Sequence, residues 1–264
     1  MTEIILAVCL AIAIGVVMVG VYWQLVVAEG AYLGRRVVAL LYDWHAPCYD
    51  RVKQFQPASD AAMLAAPILE HLSAHGKRTA QGRIAAWMLD IATGTGRLPA
   101  ALLAQPAFDG RIVALDISRR MLGYARAKLA DHVKRIDWIL DDAQRLPFQN
   151  ASFDVVACLE ALEFFPRPLE AVAEMVRVLK AGGLLLISNR VGPDVWKLPR
   201  RTMPSADFAA RLRGMGLEEV VVERWLIDYD LLLAAKPLDP FEQRTIQQHP
   251  YTTESTRGNY DQST

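Results

Sequence analysis

Asp90, Gly94, Gly96 and Asp116 are the residues whose types and spacing first point to chemistry. Glycine lets a ligand come close to the backbone, and a helix starting just beyond turns its free N–H groups toward that ligand. About twenty residues on, Asp116 stands where an acid can accept the two hydroxyls of a ribose. Gly-x-Gly alone is a weak signal, common in plain tight turns. The dinucleotide fingerprint wants a third small residue three positions after the second glycine. Pro99 holds that position, which argues against a nicotinamide or flavin cofactor.

These residues need particular elements around them. Residues 84–91 form an apolar run, the pattern of a strand buried on both faces of a parallel sheet. Residues 98–103 read as the first turns of a helix, with Pro99 acceptable near its start. Residues 111–115 are a second strand, ending in Asp116. Ser118 caps a helix running to about His132. Residues 136–140 and 153–159 are the third and fourth strands. Pro168 opens a helix with Leu169, Val172, Val176 and Leu179 on one face, and Gly182-Gly183 ends it. Residues 184–188 are the fifth strand. After a loop rich in Arg, Lys and Pro, Ser205 caps a helix through Arg213. Residues 217–226 and 228–236 then form an antiparallel pair. Alternating strands and helices of these lengths predict an α/β fold with a parallel sheet and right-handed crossovers.

The N-terminal third is organised differently. Residues 4–28 are almost unbroken apolar sequence, with Gln24 the one strongly polar residue. About twenty such residues suffice to cross a hydrocarbon core. Tyr22 and Trp23 lie where interfacial aromatics are enriched. Arg35, Arg36, Arg51 and Lys53 follow, so the positive-inside rule places the rest of the chain in the cytoplasm. A signal peptide is the alternative, with Val26-Val27-Ala28 as its cleavage site, but the Met-Thr-Glu start lacks positive charge. The segmentation is a transmembrane anchor over 1–28, a connector over 29–57, the α/β domain over 58–236 and a disordered polar tail over 237–264. The connector carries a short helical pattern over 35–42 and the pairs Tyr42-Asp43 and Tyr49-Asp50. Ser59-Asp60 marks a cap for a helix to about His75.

Composition closes off several classes. Lys plus Arg equals Asp plus Glu at 29 each, so no basic excess suggests nucleic acid. Three scattered cysteines fit a reducing compartment, without a disulfide framework or metal spacing. His71 and His75 stand at helical spacing but lack the glutamate of a zinc-protease helix, and read as a solvated helix end. No metal site is expected.

Residues 89–96, Asp116, Asp142-Ala143, Phe153-Asp154-Val155-Val156 and the run from Arg177 to Gly183 together resemble the class I S-adenosylmethionine-dependent methyltransferases. The subgroup they look most like includes the ubiquinone/menaquinone-biosynthesis methyltransferases and the bacterial phospholipid N-methyltransferases. The resemblance covers about residues 40–236 and implies a Rossmann-like seven-stranded sheet, parallel with an antiparallel C-terminal strand. It implies S-adenosyl-L-methionine as cofactor. Asp90 and the backbone of Ala92, Gly94 and Gly96 would hold the methionine part. Asp116 would take the ribose hydroxyls, Ile117 would pack on adenine, and Asp142 and Ala143 would meet its edge. Leu159 and Glu160 would flank the transferring methyl, and Tyr49 would close over the methionine end.

Many relatives carry a histidine shortly after the fourth strand, whereas this chain has Glu160-Ala161-Leu162-Glu163-Phe164-Phe165. Glu160 is the candidate catalytic base; Glu163 could also serve as one, but reads rather as a surface carboxylate. Phe164 and Phe165 suggest an apolar acceptor pocket or simple packing. Arg190, Lys197, Arg200 and Arg201, mixed with Trp196 and Leu198, suggest either a loop facing an anionic leaflet or a solvated loop with ordinary surface charge. These features predict a membrane-anchored, single-pass methyltransferase acting on a lipophilic small molecule, a quinone precursor or phospholipid. The alternatives are a soluble acceptor, or a non-catalytic module that binds the cofactor or nothing and serves interaction.

Overall fold

The computed structural model describes residues 1–238. The expected tail therefore lies outside the described residues, apart from Pro237 and Leu238.

Seven strands form one sheet in the order β3-β2-β1-β4-β5-β7-β6. They are β1 (Trp87–Ile91), β2 (Arg111–Asp116), β3 (Ile136–Leu140), β4 (Phe153–Cys158), β5 (Leu179–Arg190), β6 (Glu218–Leu226) and β7 (Tyr229–Ala235). Strands β1 to β5 pair in parallel, and β7 runs antiparallel to both β5 and β6. Each strand of β4 sequence alternates between two cores, which explains why the run is apolar throughout. Phe153, Val156 and Cys158 face α8 (Pro168–Val178) and α9 (Ser205–Gly214). Val155 and Ala157 face the opposite layer, built on α5 (Ala66–Ala74) and α6 (Arg97–Leu103).

Local signals met different fates. Ser118 caps α7 (Arg119–Lys128) as expected, its side chain accepting from Met121 N. Ser59-Asp60 is not a cap. The helix starts earlier, at Pro57, in α4 (Pro57–Asp60), and continues through a π-helical turn (Ala61–Ala65) into α5. Asp60 is buried and serves an ion pair described below. Gly182-Gly183 does not end a helix either, since α8 stops at Val178 and both glycines lie inside β5. A Cβ on Gly183 would stand 2.9 Å from the Asp154 carbonyl oxygen, so this glycine serves close approach of two strands. His71 and His75 are not a solvated end: their rings stack at 4.0 Å and His71 Nε2 lies 3.0 Å from the Gly182 carbonyl oxygen.

The apolar segment forms α1 (Thr2–Tyr22), continued by a π-helical turn (Trp23–Val27), and α1 has no buried residue. The next residues pack on the domain. Ala28 and Ala31 are buried in a third cluster with Val38, Phe164 and Leu198, against which Trp23, Tyr32 and Tyr42 pack. Trp23 meets Trp196 at 5.2 Å between ring centroids, and Tyr32 Oη donates to the Pro199 carbonyl at 2.8 Å. Two short helices follow, α2 (Arg35–His45) and α3 (Tyr49–Lys53).

Candidate active site

A cleft of about 720 Å³, counted with its open mouth, lies over the carboxyl ends of β1, β2 and β4. This is where ligands sit in open α/β sheets. A chamber of about 350 Å³ adjoins it and shares Tyr49, Ala92, Gly94, Leu159 and Glu160 with the cleft. Asp116, Ile117, Asp142 and Ala143 line the cleft, and Asp90 lines the chamber. The structure thus brings together all the sequence candidates except Gly96. That residue enters α6 with φ of +79°, and a Cβ there would stand 3.0 Å from the Leu129 side chain. It serves the turn and the packing of α7 rather than the cleft wall. Ala92 also holds a left-handed conformation, φ +55°, sparsely populated outside glycine.

Two buried carboxylates face this space. Asp116 accepts from Gly94 N and Ser118 N, each at 2.8 Å, so it pins both the glycine turn and the cap of α7. Burial pushes its pKa up to about 6, against the pull of those backbone donors. Asp90 accepts from Thr93 Oγ1 at 2.6 Å. Burial, with the charge of Asp116 adding, raises Asp90 to about 7 from an ordinary 3.8. A folded value above the unfolded one favours the protonated form. Its contribution to stability is therefore full below about pH 4 and is lost as pH rises through 7. Asp154 and Glu174 are held low and act in the opposite direction in acid. A difference measurement isolates Asp90: the melting temperature should fall more between pH 5 and 8 in the wild type than in Asp90→Asn. Parallel falls would show that burial does not perturb this carboxyl.

The strongest polar feature was not legible as a site. Arg97 Nε and Nη2 donate to the Asp60 carboxylate at 2.6–3.1 Å, and Nη1 donates to Glu160 Oε1 at 2.7 Å. Its guanidinium lies between the rings of Phe55 and Trp225, at 4.6 and 4.5 Å from their centroids. Lys53 Nζ donates to the other Glu160 oxygen at 2.6 Å. Glu160 is in the site, but two cations engage its carboxylate, an arrangement for anchoring α3 and α6 rather than for taking a proton. One signal did exist: a cation in the first turn of a helix opposes the macrodipole, so Arg97 needed a partner.

The remaining wall is apolar. Val38, Phe164, Phe165 and Pro166 line it, and Tyr42 donates from its hydroxyl to Glu29 at 3.0 Å. Arg35 meets Asp142 at 2.5 Å across the outer rim. Glu163 is 1% exposed, not a surface carboxylate. It accepts from Tyr229 Oη and Arg190 Nη1 beneath the cleft. Burial raises its pKa against the pull of both partners. The loop after β5 is likewise not a free cationic patch. Lys197 pairs with Asp194, and Arg201 donates to the Phe165 and Ala31 carbonyls.

The fold and these carboxylates define a Rossmann-like domain suited to a ligand with a cationic end, a pair of hydroxyls and a flat apolar body. Residues 89–187 match the family described as "Methyltransferase domain". The bifunctional biotin-biosynthesis protein BioHC of Cellvibrio japonicus is 33% identical over 173 residues, 66% of this chain and 31% of that protein. The ubiquinone/menaquinone biosynthesis C-methyltransferase UbiE of Pseudomonas putida is 39% identical over 124 residues, 46% of this chain and 48% of that one. Among solved structures, the [4+2]-cyclase SpnF superposes with a TM-score of 0.58 at 17% identity, covering 78% of this chain and 98% of that one. That likeness shows the fold alone. Residues 89–187 are therefore a class I S-adenosylmethionine-dependent methyltransferase domain, an enzyme domain whose cofactor is S-adenosylmethionine. The chain spans less than half the length of the curated relatives named above.

Proposed function

We propose that this chain is a methyltransferase held in a bilayer by residues 4–28, with its catalytic domain in the cytoplasm, acting on a lipophilic small molecule. The observation that carries this reading is the apolar wall of Val38, Phe164, Phe165 and Pro166, roofed by the segment that leaves the apolar helix. A signal peptide fits less well, because Ala28, the last residue of its cleavage motif, is fully buried against the domain. Relatives named for ubiquinone and menaquinone biosynthesis favour a quinone precursor as acceptor, with a phospholipid the other candidate.

The residues present fit the cofactor. Asp116 would hold the ribose hydroxyls, Ile117 and Ala143 the adenine, and Asp90 with the backbone near Gly94 the methionine end. When bound, S-adenosylmethionine supplies a methyl group already activated on a sulfonium. The chain's own work is then orientation and exclusion of water. Tyr49 and the Phe164–Pro166 wall close the space from two sides. No side chain on that apolar wall is placed as a free base, so the reading favours a nucleophile that needs none, or one that ionises unaided.

Incubation of the full chain with methyl-labelled cofactor and a membrane lipid extract should place label in the organic phase. Label confined to water-soluble acceptors would favour the soluble-substrate reading. No transfer, whether or not S-adenosylhomocysteine binds in calorimetry, would favour a non-catalytic module.

A further inference from the structure

Helix α2 turns two opposite faces to two different surroundings. Arg35, Val38 and Tyr42 line the cleft. On the far side Arg36, Leu40 and Trp44 follow one another at i, i+4, i+8 and form one stripe. Leu40 is 68% exposed and Trp44 is 73% exposed. Nothing among the described residues covers them; Val52 and Ile227 are as exposed elsewhere, and what distinguishes this pair is its place on one stripe of one helix.

Position and charge name the occupant. Only seven residues separate the apolar helix from α2, and they are folded tightly: a Cβ on Gly30 would stand 3.0 Å from Leu41 and 3.1 Å from Val37. Those two residues occupy the helical sector next to Leu40 and Trp44, so the bare stripe borders the foot of the apolar helix. Exposed apolar side chains run on from Val26 through Leu33 to Leu40 and Trp44. Charges in this region are sorted by sign. Glu29 accepts from Tyr42, Asp43 from Ser118 Oγ and Arg120 N, and Asp50 pairs with Lys128. Every carboxylate between residues 28 and 50 is thus engaged by the domain. Arg36 and Arg51 are exposed and make no ion pair among the described residues. Trp is enriched at membrane interfaces, and exposed guanidiniums are attracted by anionic headgroups.

We propose that the outer face of α2 lies in the headgroup layer of an anionic leaflet, with Leu40 and Trp44 inserted and Arg36 and Arg51 at phosphate level. This rests on the reading of residues 4–28 as an anchor. It makes α2 the partition between bilayer and cleft, so an acceptor leaving the leaflet passes around one helix to reach Tyr42 and Phe164. It also moves the membrane contact away from the loop after β5, whose cations are largely spent on internal partners.

The test uses the full chain in vesicles of phosphatidylcholine with phosphatidylglycerol, the lipids brominated near the headgroup end of their acyl chains. Bromine quenches tryptophan emission on contact. Trp44→Phe should remove a quenched component that Trp87→Phe, altering an exposed tryptophan on the sheet, leaves in place. The same component should weaken when phosphatidylglycerol is omitted. If both variants quench alike in a chain that resists carbonate extraction, the anchor stands and the placement of α2 is overturned. Release of the chain by carbonate overturns the anchor and this proposal together. Equal quenching in neutral and anionic vesicles overturns the role given to Arg36 and Arg51.

Discussion

Replacing Arg97 with alanine is expected to destabilise the domain by about 3–5 kcal/mol, the cost of breaking a buried ion pair by removing one partner. Asp60 and Glu160 are both buried, and each would lose its guanidinium partner. For a domain of this size the melting temperature should fall by roughly ten degrees. Arg97→Lys should recover only part of the loss. Lysine keeps the charge but cannot bind Asp60 through two nitrogens or lie flat between Phe55 and Trp225. Thermal unfolding of the two variants checks this, and equal stability of wild type and Arg97→Ala would show the pairs to be incidental.

Asp116→Ala is expected to weaken binding of S-adenosylhomocysteine by ten- to hundredfold. A hydrogen bond to a buried charged group contributes about 1.5–3 kcal/mol, which is that range in affinity. The structure adds a second route to the same loss. Asp116 also holds Gly94 N and Ser118 N, so its removal loosens the turn that shapes the cleft. Calorimetry on a variant that still melts cooperatively checks the expectation. Unchanged affinity in such a variant would count against Asp116 as the ribose acceptor.

What the sequence disclosed depended on how far apart the interacting residues lie. The central turn, Asp116 and the Ser118 cap are local signals, written within a strand and the helix after it, and the structure places them together. The reading of Gly182-Gly183 failed because glycine marks both helix ends and close strand approach, and only the position of Asp154 decides between them. Glu163 looked like a surface acid because its partners, Arg190 and Tyr229, arrive from strands 27 and 66 residues away. Asp60 likewise looked like a cap because Arg97, its partner, is 37 residues distant. The joint after the apolar helix carries no local signal of its packing: Ala28, Gly30 and Ala31 are small residues without periodicity, yet Ala28 and Ala31 are buried core and Gly30 is packed against α2.

That joint has a kinetic consequence. A floppy tether of seven residues would let the domain wander by about 15 Å at random over the surface below it. Here the tether is part of the protein's interior, so the catalytic domain and its mast turn as one object. On the anchored reading, a methyl acceptor would search for the enzyme by lateral diffusion in two dimensions and find its opening always at the same height and the same tilt. Inserting a few glycines after Val27 would restore the wandering and slow capture from the leaflet, with no change in any residue that touches the cofactor.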